Sequence, residues 1–410
     1  MENNRLIKYK GGLINHVSNA ISVTNKLLAT IEPQLIPYRK KDKWGFCTPD
    51  KKIVIDCVFD DAGPFSGGIA QVCQNQKWGI INKKGYHLLP CVFNRIEDFK
   101  DDLACVIKNG KWGLIDTLGN EVISCIYDSF DYFSDGLAKV SRNGRFGFIN
   151  KKGETILPFI YGVEIDYFSD GFALIHQNDK DGFLDKTGNL KIPCVYEAAS
   201  NFLNGLAGVL KNGKWGFIDK NENEKIPFIY DNTGTESFLE ELASVELNGK
   251  WGYIDTQNSP VAPCIYDEVA DIFLNGLAWV KQKGKYGFIN KIGKIEIPLI
   301  YEYVGEANFS DEFASVQLNG KWGYIDRNGN QVIPCLYDEA DNFSDDLALV
   351  SQNENWGYID RNGKLVIPFI YELSMPNRFG YSRFSNGIAS VKLNDNSGYI
   401  NKEGIQYWED

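Results

Sequence analysis

Short stretches in which apolar residues alternate with polar ones recur along the chain, and turn-forming residues separate them. Residues 313–337 show this pattern most clearly. Asn319-Gly320 separates the first two stretches, and this dipeptide favours a type I′ hairpin because both of its residues adopt positive φ readily. Asp326-Arg-Asn-Gly329 separates the second stretch from the third and favours a three-residue hairpin loop. The pattern therefore predicts three antiparallel strands, 313–318, 321–325 and 331–337.

This three-stranded unit recurs about eleven times. An aromatic-Gly pair marks the second strand of most units, and two further units keep the glycine alone, at Gly182 and Gly398. Self-similarity at a fixed period is typical of an array in which each repeat contacts its neighbours, so one continuous array is expected instead of several domains. The aromatic residues of the pairs are Trp44, Trp78, Trp112, Phe146, Trp215, Trp251, Tyr286, Trp322 and Trp356.

A proline recurs in the third strand of most units. Proline has no N–H for the ladder of a sheet, so this strand is predicted to lie at a sheet edge or to end there. The prolines are Pro90, Pro158, Pro193, Pro227, Pro263, Pro298, Pro334 and Pro368.

Three recurring segments together resemble the WG-repeat (or KWG-repeat) family. They are Lys-Trp-Gly, as at 43–45 and 321–323, Asp-Gly-Leu-Ala, as at 135–138, and Ile-Pro-Cys or Ile-Pro-Phe. The resemblance covers most of the chain and departs from the pattern at Asp181 and Ser397, where the aromatic residue is missing. It implies a β-rich repeat architecture and a binding role, and it implies no catalytic residue.

Two all-β architectures fit such an array. Propellers typically have four to eight blades of four strands, whereas about eleven three-stranded units are found here. Closure by strand sharing also needs a split unit, and the units look whole at both ends, since the last one keeps a remnant third strand at 405–408. The sequence therefore favours an open superhelical, solenoid-like stack over residues 35–410. A β-propeller is the alternative.

Residues 1–34 precede the repeats. Apolar residues from Leu13 to Leu28 recur with an approximately helical period, which predicts a short amphipathic helix. A helix at this place either caps the open end of the stack or acts as an adaptor that docks on another protein. Few basic residues lie on its polar face, which disfavours membrane binding.

Composition narrows the possible partners. The formal net charge is −11, and the sequence lacks the basic stripe that is typical of nucleic-acid-binding proteins. Nucleic acid is therefore not an expected partner. No long apolar run or signal peptide is apparent, so no membrane association is expected. Six of the nine cysteines occupy one equivalent repeat position, too far apart for disulfides, which favours a reducing, cytoplasmic location.

Small and large residues alternate after the proline position, for example Cys194, Phe228, Cys264 and Leu299. Duplication of paired repeats explains this alternation without any physical need for it. The second explanation, which we prefer here, is that a small and a large residue from neighbouring units fill one shared layer.

The recurring polar residues favour structural roles. The tryptophan row is interpreted as core, with the glycine beside it allowing close approach of another segment. The recurring Asp or Asn after the second strand caps a turn. No catalytic motif and no ligand set for a metal or a cofactor is found, so an enzyme is not expected.

Variation between units concentrates in the connection from the third strand to the next unit. Loops on a rigid scaffold commonly carry binding diversity, so a non-enzymatic scaffold for an unidentified protein or peptide is predicted. The longest connection, 373–383, supplies the candidate contacts Arg378, Phe379, Tyr381 and Arg383. Recognition of a glycan or cell-wall fragment by exposed aromatic residues is one alternative, and a passive structural spacer is another.

Overall fold

Turn chemistry shapes each repeat in the predicted way. Asn319 and Gly320 have φ values of 54° and 73°, the positive values that a type I′ hairpin requires. The Asp326 side chain caps the next turn, because its Oδ1 accepts hydrogen bonds from the N–H groups of Asn328 (2.9 Å) and Asn330 (2.8 Å). The three predicted strands of this unit are confirmed.

The computed structural model describes residues 34–409 except 163–164, 235–237, 306–308, 310–311, 373–381 and 395. The predicted N-terminal helix lies outside the described residues. Within them the chain forms β-strands and no helix, and hence no helix that could cross a membrane.

The strands of the first half of the chain are β1 (Ile36–Lys40), β2 (Lys43–Cys47), β3 (Ile53–Phe59), β4 (Asp61–Ala62), β5 (Ile69–Gln74), β6 (Lys77–Asn82), β7 (His87–Phe93), β8 (Arg95–Ile96), β9 (Leu103–Lys108), β10 (Lys111–Asp116), β11 (Glu121–Tyr127), β12 (Ser129–Phe130), β13 (Leu137–Arg142), β14 (Arg145–Asn150), β15 (Thr155–Tyr161), β16 (Ile165–Ser169), β17 (Phe172–Gln177), β18 (Lys180–Asp185), β19 (Leu190–Tyr196), β20 (Ala198–Ala199) and β21 (Leu206–Lys211).

The strands of the second half are β22 (Lys214–Asp219), β23 (Glu224–Tyr230), β24 (Asn232–Thr233), β25 (Leu242–Leu247), β26 (Lys250–Asp255), β27 (Pro260–Tyr266), β28 (Glu268–Val269), β29 (Leu277–Gln282), β30 (Lys285–Asn290), β31 (Ile295–Tyr301), β32 (Tyr303–Val304), β33 (Phe313–Leu318), β34 (Lys321–Asp326), β35 (Gln331–Tyr337), β36 (Glu339–Ser344), β37 (Leu347–Gln352), β38 (Asn355–Asp360), β39 (Leu365–Tyr371), β40 (Ile388–Leu393), β41 (Asn396–Asn401) and β42 (Trp408–Glu409).

Each repeat contributes a fourth strand that the sequence pattern does not predict. In most units it has two residues, as in β32, which pairs antiparallel with β33 through Tyr303 and Val304. The third strand, which carries the proline in most repeats, lies at the opposite end of each sheet, which confirms its predicted edge position. Ten four-stranded sheets result: blade 1 is β1–β3 with β42, and blades 2 to 10 each take four consecutive strands, from β4–β7 to β36–β39.

The prediction of an open stack is wrong, because the two ends of the array meet. The last strand, β42, pairs in parallel with β1, so that Arg39 faces Trp408 and Lys40 faces Glu409. The C-terminal strand thus supplies the fourth strand of blade 1. The ten four-stranded sheets are the blades of a β-propeller, and the two-stranded sheet of β40 and β41 stands between the last blade and the first.

A buried cluster holds this closure together. Ile36, Tyr38 and Cys47 of blade 1 pack with Tyr399 and Tyr407 from the end of the chain, and each is at most 5% exposed. The Arg39 N–H also donates to the Tyr407 carbonyl oxygen at 3.1 Å. Burial of these side chains stabilises the closed ring by the hydrophobic effect.

The remaining core lies between neighbouring blades. Leu114 and Ile123 of blade 3 pack with Ala138 and Val140 of blade 4, and similar clusters follow around the ring. Each interblade layer receives one residue from the position after the proline. Phe159, for example, enters the layer between blades 3 and 4.

The expectation that small and large residues share a layer is therefore wrong. Cys194, the neighbour of Phe159 in the alternation, packs in the layer between blades 4 and 5 and does not meet it. Duplication of paired repeats is then the remaining explanation of the alternation.

Candidate functional site

Most of the predicted contact loop, 373–383, lies outside the described residues. Arg378, Phe379 and Tyr381 lie outside the described residues. Arg383 is described, and its guanidinium makes two hydrogen bonds of 2.5 Å to the Asp341 carboxylate of β36. This bidentate ion pair fixes Arg383 to blade 10.

The tryptophan row belongs to the core, as expected. Trp112 pairs in register with Tyr127 and packs against the layer between blades 3 and 4. Trp78 is 8% exposed, and the other described tryptophans of the row are half-buried. The row therefore offers no exposed stack of indole rings.

Close backbone approach explains the glycine beside each aromatic residue. A Cβ atom on this glycine would lie 2.4–2.8 Å from a backbone carbonyl oxygen in blades 1 to 10. At Gly323 that oxygen belongs to Ile333 in the last strand of the same blade, 2.6 Å away. The approaching segment is thus the neighbouring strand, at the point where a bulge shifts the register of the ladder.

The recurring Asp or Asn after the second strand caps turns, as its position predicts. The Asp116 Oδ1 accepts the N–H groups of Leu118 (3.0 Å) and Asn120 (2.8 Å), and equivalent bonds recur in other blades. Among the described residues, no group of three or more His, Cys, Asp and Glu side chains is placed to hold a metal ion.

Acidic side chains join neighbouring blades, a role that sequence reasoning missed. The Asp128 carboxylate follows β11 of blade 3 and binds the Lys111 ammonium of the same blade. Its Oδ2 also accepts the N–H of Asn143 at 2.7 Å, in the hairpin of blade 4. Seven residues make such an ion pair at this position, and we call them the junction carboxylates: Asp60, Asp128, Glu197, Asp231, Asp267, Glu302 and Asp338.

The junction carboxylates make the fold sensitive to acid. The hydrogen bond from the lysine ammonium group is the main cause of the lowered carboxylate pKa of Asp128, Asp231 and Asp267. A carboxylate with a lowered folded-state pKa stabilises the fold above its unfolded pKa, and this contribution is lost as pH falls through the folded value. We expect the melting temperature to hold steady down to about pH 5 and to fall below about pH 4.

The triple variant D128N/D231N/D267N tests this expectation in circular dichroism melts. Asparagine still caps the hairpin, as Asn94 does by accepting the Asn109 N–H at 2.9 Å, but it cannot titrate. The variant should melt below wild type at pH 7 and lose less stability between pH 5 and pH 3. An acid dependence equal to that of wild type would contradict the assignment.

A second feature unites the ten blades: an exposed aliphatic side chain near the end of each edge strand. These side chains are 38–62% exposed, although the aromatic residue that follows each of them packs inward. Equivalent residues of a closed ring lie on one circle, so we call them the aliphatic belt. They are Val58, Val92, Ile126, Ile160, Val195, Ile229, Ile265, Ile300, Leu336 and Ile370.

An open cleft of about 520 Å³ lies where blade 4 meets blade 5. The end of β15 with Gly162, Ile165 and the hairpin residues 175–179 line it. In the hairpin, the His176 Nδ1 lies 2.7 Å from the Asp181 Oδ1. Asp181 stands where most repeats have tryptophan, so the irregular repeat and the cleft coincide.

Comparison with known proteins assigns the family. The family profile described as "WG containing repeat" matches ten consecutive segments from residue 44 to residue 396. The chain belongs to the WG-repeat family. Each matched segment runs from one aromatic-Gly position to near the next, so it joins the second strand of one WG repeat to the first strand of the following one. No curated protein sequence matches the chain.

Solved structures resemble the ring only loosely. A crystal structure described as the eukaryotic initiation factor is 13% identical, with 82% of this chain and 94% of that chain covered and a TM-score of 0.41. Kluyveromyces lactis Hsv2 is 8% identical, with coverages of 73% and 98% and a TM-score of 0.29. Citrobacter koseri AztD is 11% identical, with coverages of 73% and 90% and a TM-score of 0.30. The assignment of the fold therefore rests on the strand pairing.

Proposed function

We propose that this WG-repeat protein is a non-enzymatic scaffold that binds a partner protein or peptide on the aliphatic belt. The observation that carries the proposal is the exposure of an aliphatic side chain at the same position in all ten blades. Single exposed apolar residues are normal on protein surfaces. Larger exposed apolar patches are typical of interaction surfaces.

The neighbourhood of the belt adds to this support. The edge strands expose alternate residues, so a second apolar side chain often lies four positions before the belt residue, as Val122 does before Ile126. The intervening exposed proline, as at Pro158, leaves no N–H there for pairing with another strand. The belt thus favours contact through side chains over the addition of a strand.

The two alternatives make different demands on the structure. Glycan recognition needs flat aromatic faces at the surface, and the tryptophan row is half-buried. The exposed tyrosines Tyr86, Tyr132, Tyr167 and Tyr303 occupy different kinds of positions in their blades, so they form no repeated platform. A passive spacer assembled through residues 1–34 depends on a segment of which only Gln34 is described.

Replacement of three belt residues tests the proposal. The variant I229T/I265T/I300T keeps β-branched side chains on the strands and removes apolar surface from three consecutive blades. The variant should retain the wild-type melting temperature within a few degrees. In a quantitative pull-down it should recover at least about tenfold less partner than wild type, because each apolar contact contributes of the order of 1 kcal/mol.

The matched control Y86T/L118T/I292T removes three exposed apolar side chains from turns outside the belt. Partners that depend on the belt should be recovered by this control as by wild type. Equal losses in the two triple variants, or no loss in the belt variant, would sink the proposal.

A further inference from the structure

The junction between blades 4 and 5 departs from the junction pattern. At nine of the ten positions that follow an edge strand, the residue has a polar side chain: the seven junction carboxylates, Asn94, and Glu372, which pairs with Lys392 at 2.7 Å. The tenth residue is Gly162. The junction of blades 4 and 5 therefore has no side chain where the others have an acceptor.

Two groups that bind the carboxylate at other junctions have equivalents at the junction of blades 4 and 5. Arg145 stands in the place of the junction lysine, because β14 and β15 pair with Phe146 facing Tyr161, as Trp112 faces Tyr127 in blade 3. Asn178 begins the hairpin of blade 5 with φ of 52°, close to the 51° of its equivalent Asn143.

Both groups lack the contacts that their equivalents make. In the described part of the chain, the Arg145 side chain has no ion pair or hydrogen bond, and the Asn178 N–H has no acceptor. By strand register, Arg145 and the Asn178 N–H occupy the positions that Lys111 and the Asn143 N–H occupy around Asp128, without the acid between them.

The cleft of about 520 Å³ opens beside this position. Ile160 and Tyr161 form its accessible apolar wall, because Ile165 and Ile175 are at most 3% exposed, and Ile160 is the most exposed member of the aliphatic belt at 62%. An acidic group that entered the cleft would therefore place its neighbouring atoms against aliphatic side chains.

We propose that this junction binds the C-terminal carboxylate of a partner peptide whose last residue is apolar. The carboxylate takes the place of the missing junction carboxylate, where it accepts hydrogen bonds from the Arg145 guanidinium and the Asn178 N–H. The last side chain packs against Ile160 and Tyr161. The inference rests on the proposed scaffold function and names the chemistry of one partner.

Three fluorescein-labelled peptide pools test it by anisotropy with the full chain. Each has a Gly-Ser-Gly spacer and two final positions drawn from Val, Ile, Leu and Phe. The first pool ends in a free carboxylate and the second in an amide. The third ends in an amide after an added glutamate, which supplies a side-chain carboxylate instead. Wild type should bind the first pool at least about tenfold more tightly than the other two, the ratio expected for a charge-assisted hydrogen bond.

Variants at the junction localise the site. G162D supplies an internal carboxylate and R145A removes the guanidinium, so each should reduce binding of the first pool to the level of the amidated pool. G162D should melt no lower than wild type. The matched control is K77A, because Lys77 occupies the junction position of blade 2 opposite Asn94 and has no ion pair within the described residues. It should bind as wild type does.

The proposal would be overturned by equal binding of the free and amidated pools, equal binding of the glutamate pool, no binding of any pool, or equal losses in K77A and R145A. Glu164 lies outside the described residues, and E164Q should leave binding unchanged. Binding that appears in E164Q alone would mean that the chain fills the position itself and would also overturn it. These results leave the pull-down test of the belt untouched, so the two proposals fail separately.

Discussion

Replacement of Gly323 by alanine is expected to destabilise the protein by about 3 kcal/mol, the upper part of the range for overpacking. The added Cβ would lie 2.6 Å from the Ile333 carbonyl oxygen and 2.7 Å from the Cys335 nitrogen. Both atoms belong to the backbone of β35, so no side-chain rotation relieves the contact. The strand must move and loosen its blade. Urea denaturation followed by tryptophan fluorescence measures the loss.

The neighbouring Gly320 provides the control. Its φ of 73° is left-handed, but an added Cβ has no atom within 4 Å. G320A should therefore cost about 1–2 kcal/mol, the cost of a left-handed conformation alone. If G323A were no more destabilising than G320A, close packing of the strands would not explain the glycine of the WG repeat.

Replacement of Tyr407 by alanine is expected to cost about 3–5 kcal/mol, as for other large buried side chains. Tyr407 is 0% exposed and lies in the cluster that joins the two ends of the chain. Its hydroxyl donates to the Pro49 carbonyl oxygen at 3.2 Å, and its own carbonyl accepts the Arg39 N–H. Loss of the ring would free β42 from β1. Thermal melts and hydrogen exchange of the Arg39 amide would report both effects.

The control variant Y407F keeps the ring and removes the hydrogen bond to Pro49. It should cost about 1 kcal/mol and leave the Arg39 amide protected. Near wild-type stability of Y407A, with protection of the Arg39 amide retained, would contradict closure through this cluster.

Local structure was predictable because local chemistry determines it. The Asn-Gly hairpin, the Asp-capped turn and the edge-strand proline each bias the backbone within a few residues, and all three predictions are confirmed. The fourth strand was missed since two residues, as in β32, carry no alternation that a sequence pattern can detect.

Closure of the ring was missed for a related reason. Residues 405–408 look like the remnant of a third strand, and nothing local indicates that Trp408 and Glu409 pair with β1. Parallel pairing between the chain ends depends on the curvature accumulated over all the blades. Because the number of units exceeds the usual number of propeller blades, the sequence pattern favoured an open stack, which is wrong.

The candidate site was predictable only in part. The aliphatic residue before each strand-three aromatic was visible in the repeat, but its sequence does not tell whether it faces the core or the solvent. Gly162 and Asp181 were both readable as departures from the pattern. Their meaning depends on Arg145 and the blade 5 hairpin, which pairing across the blades brings beside Gly162.

Small-angle X-ray scattering on the full chain tests the closed ring most directly. Sheets that pack face to face lie about 10 Å apart, so an open stack of this many repeats would extend over roughly 100 Å. A closed ring of the same sheets should instead give a compact distance distribution with its main peak well below that length and a scattering curve that fits the propeller. A long, narrow distribution that reaches roughly 100 Å or more would contradict the ring and the aliphatic belt derived from it.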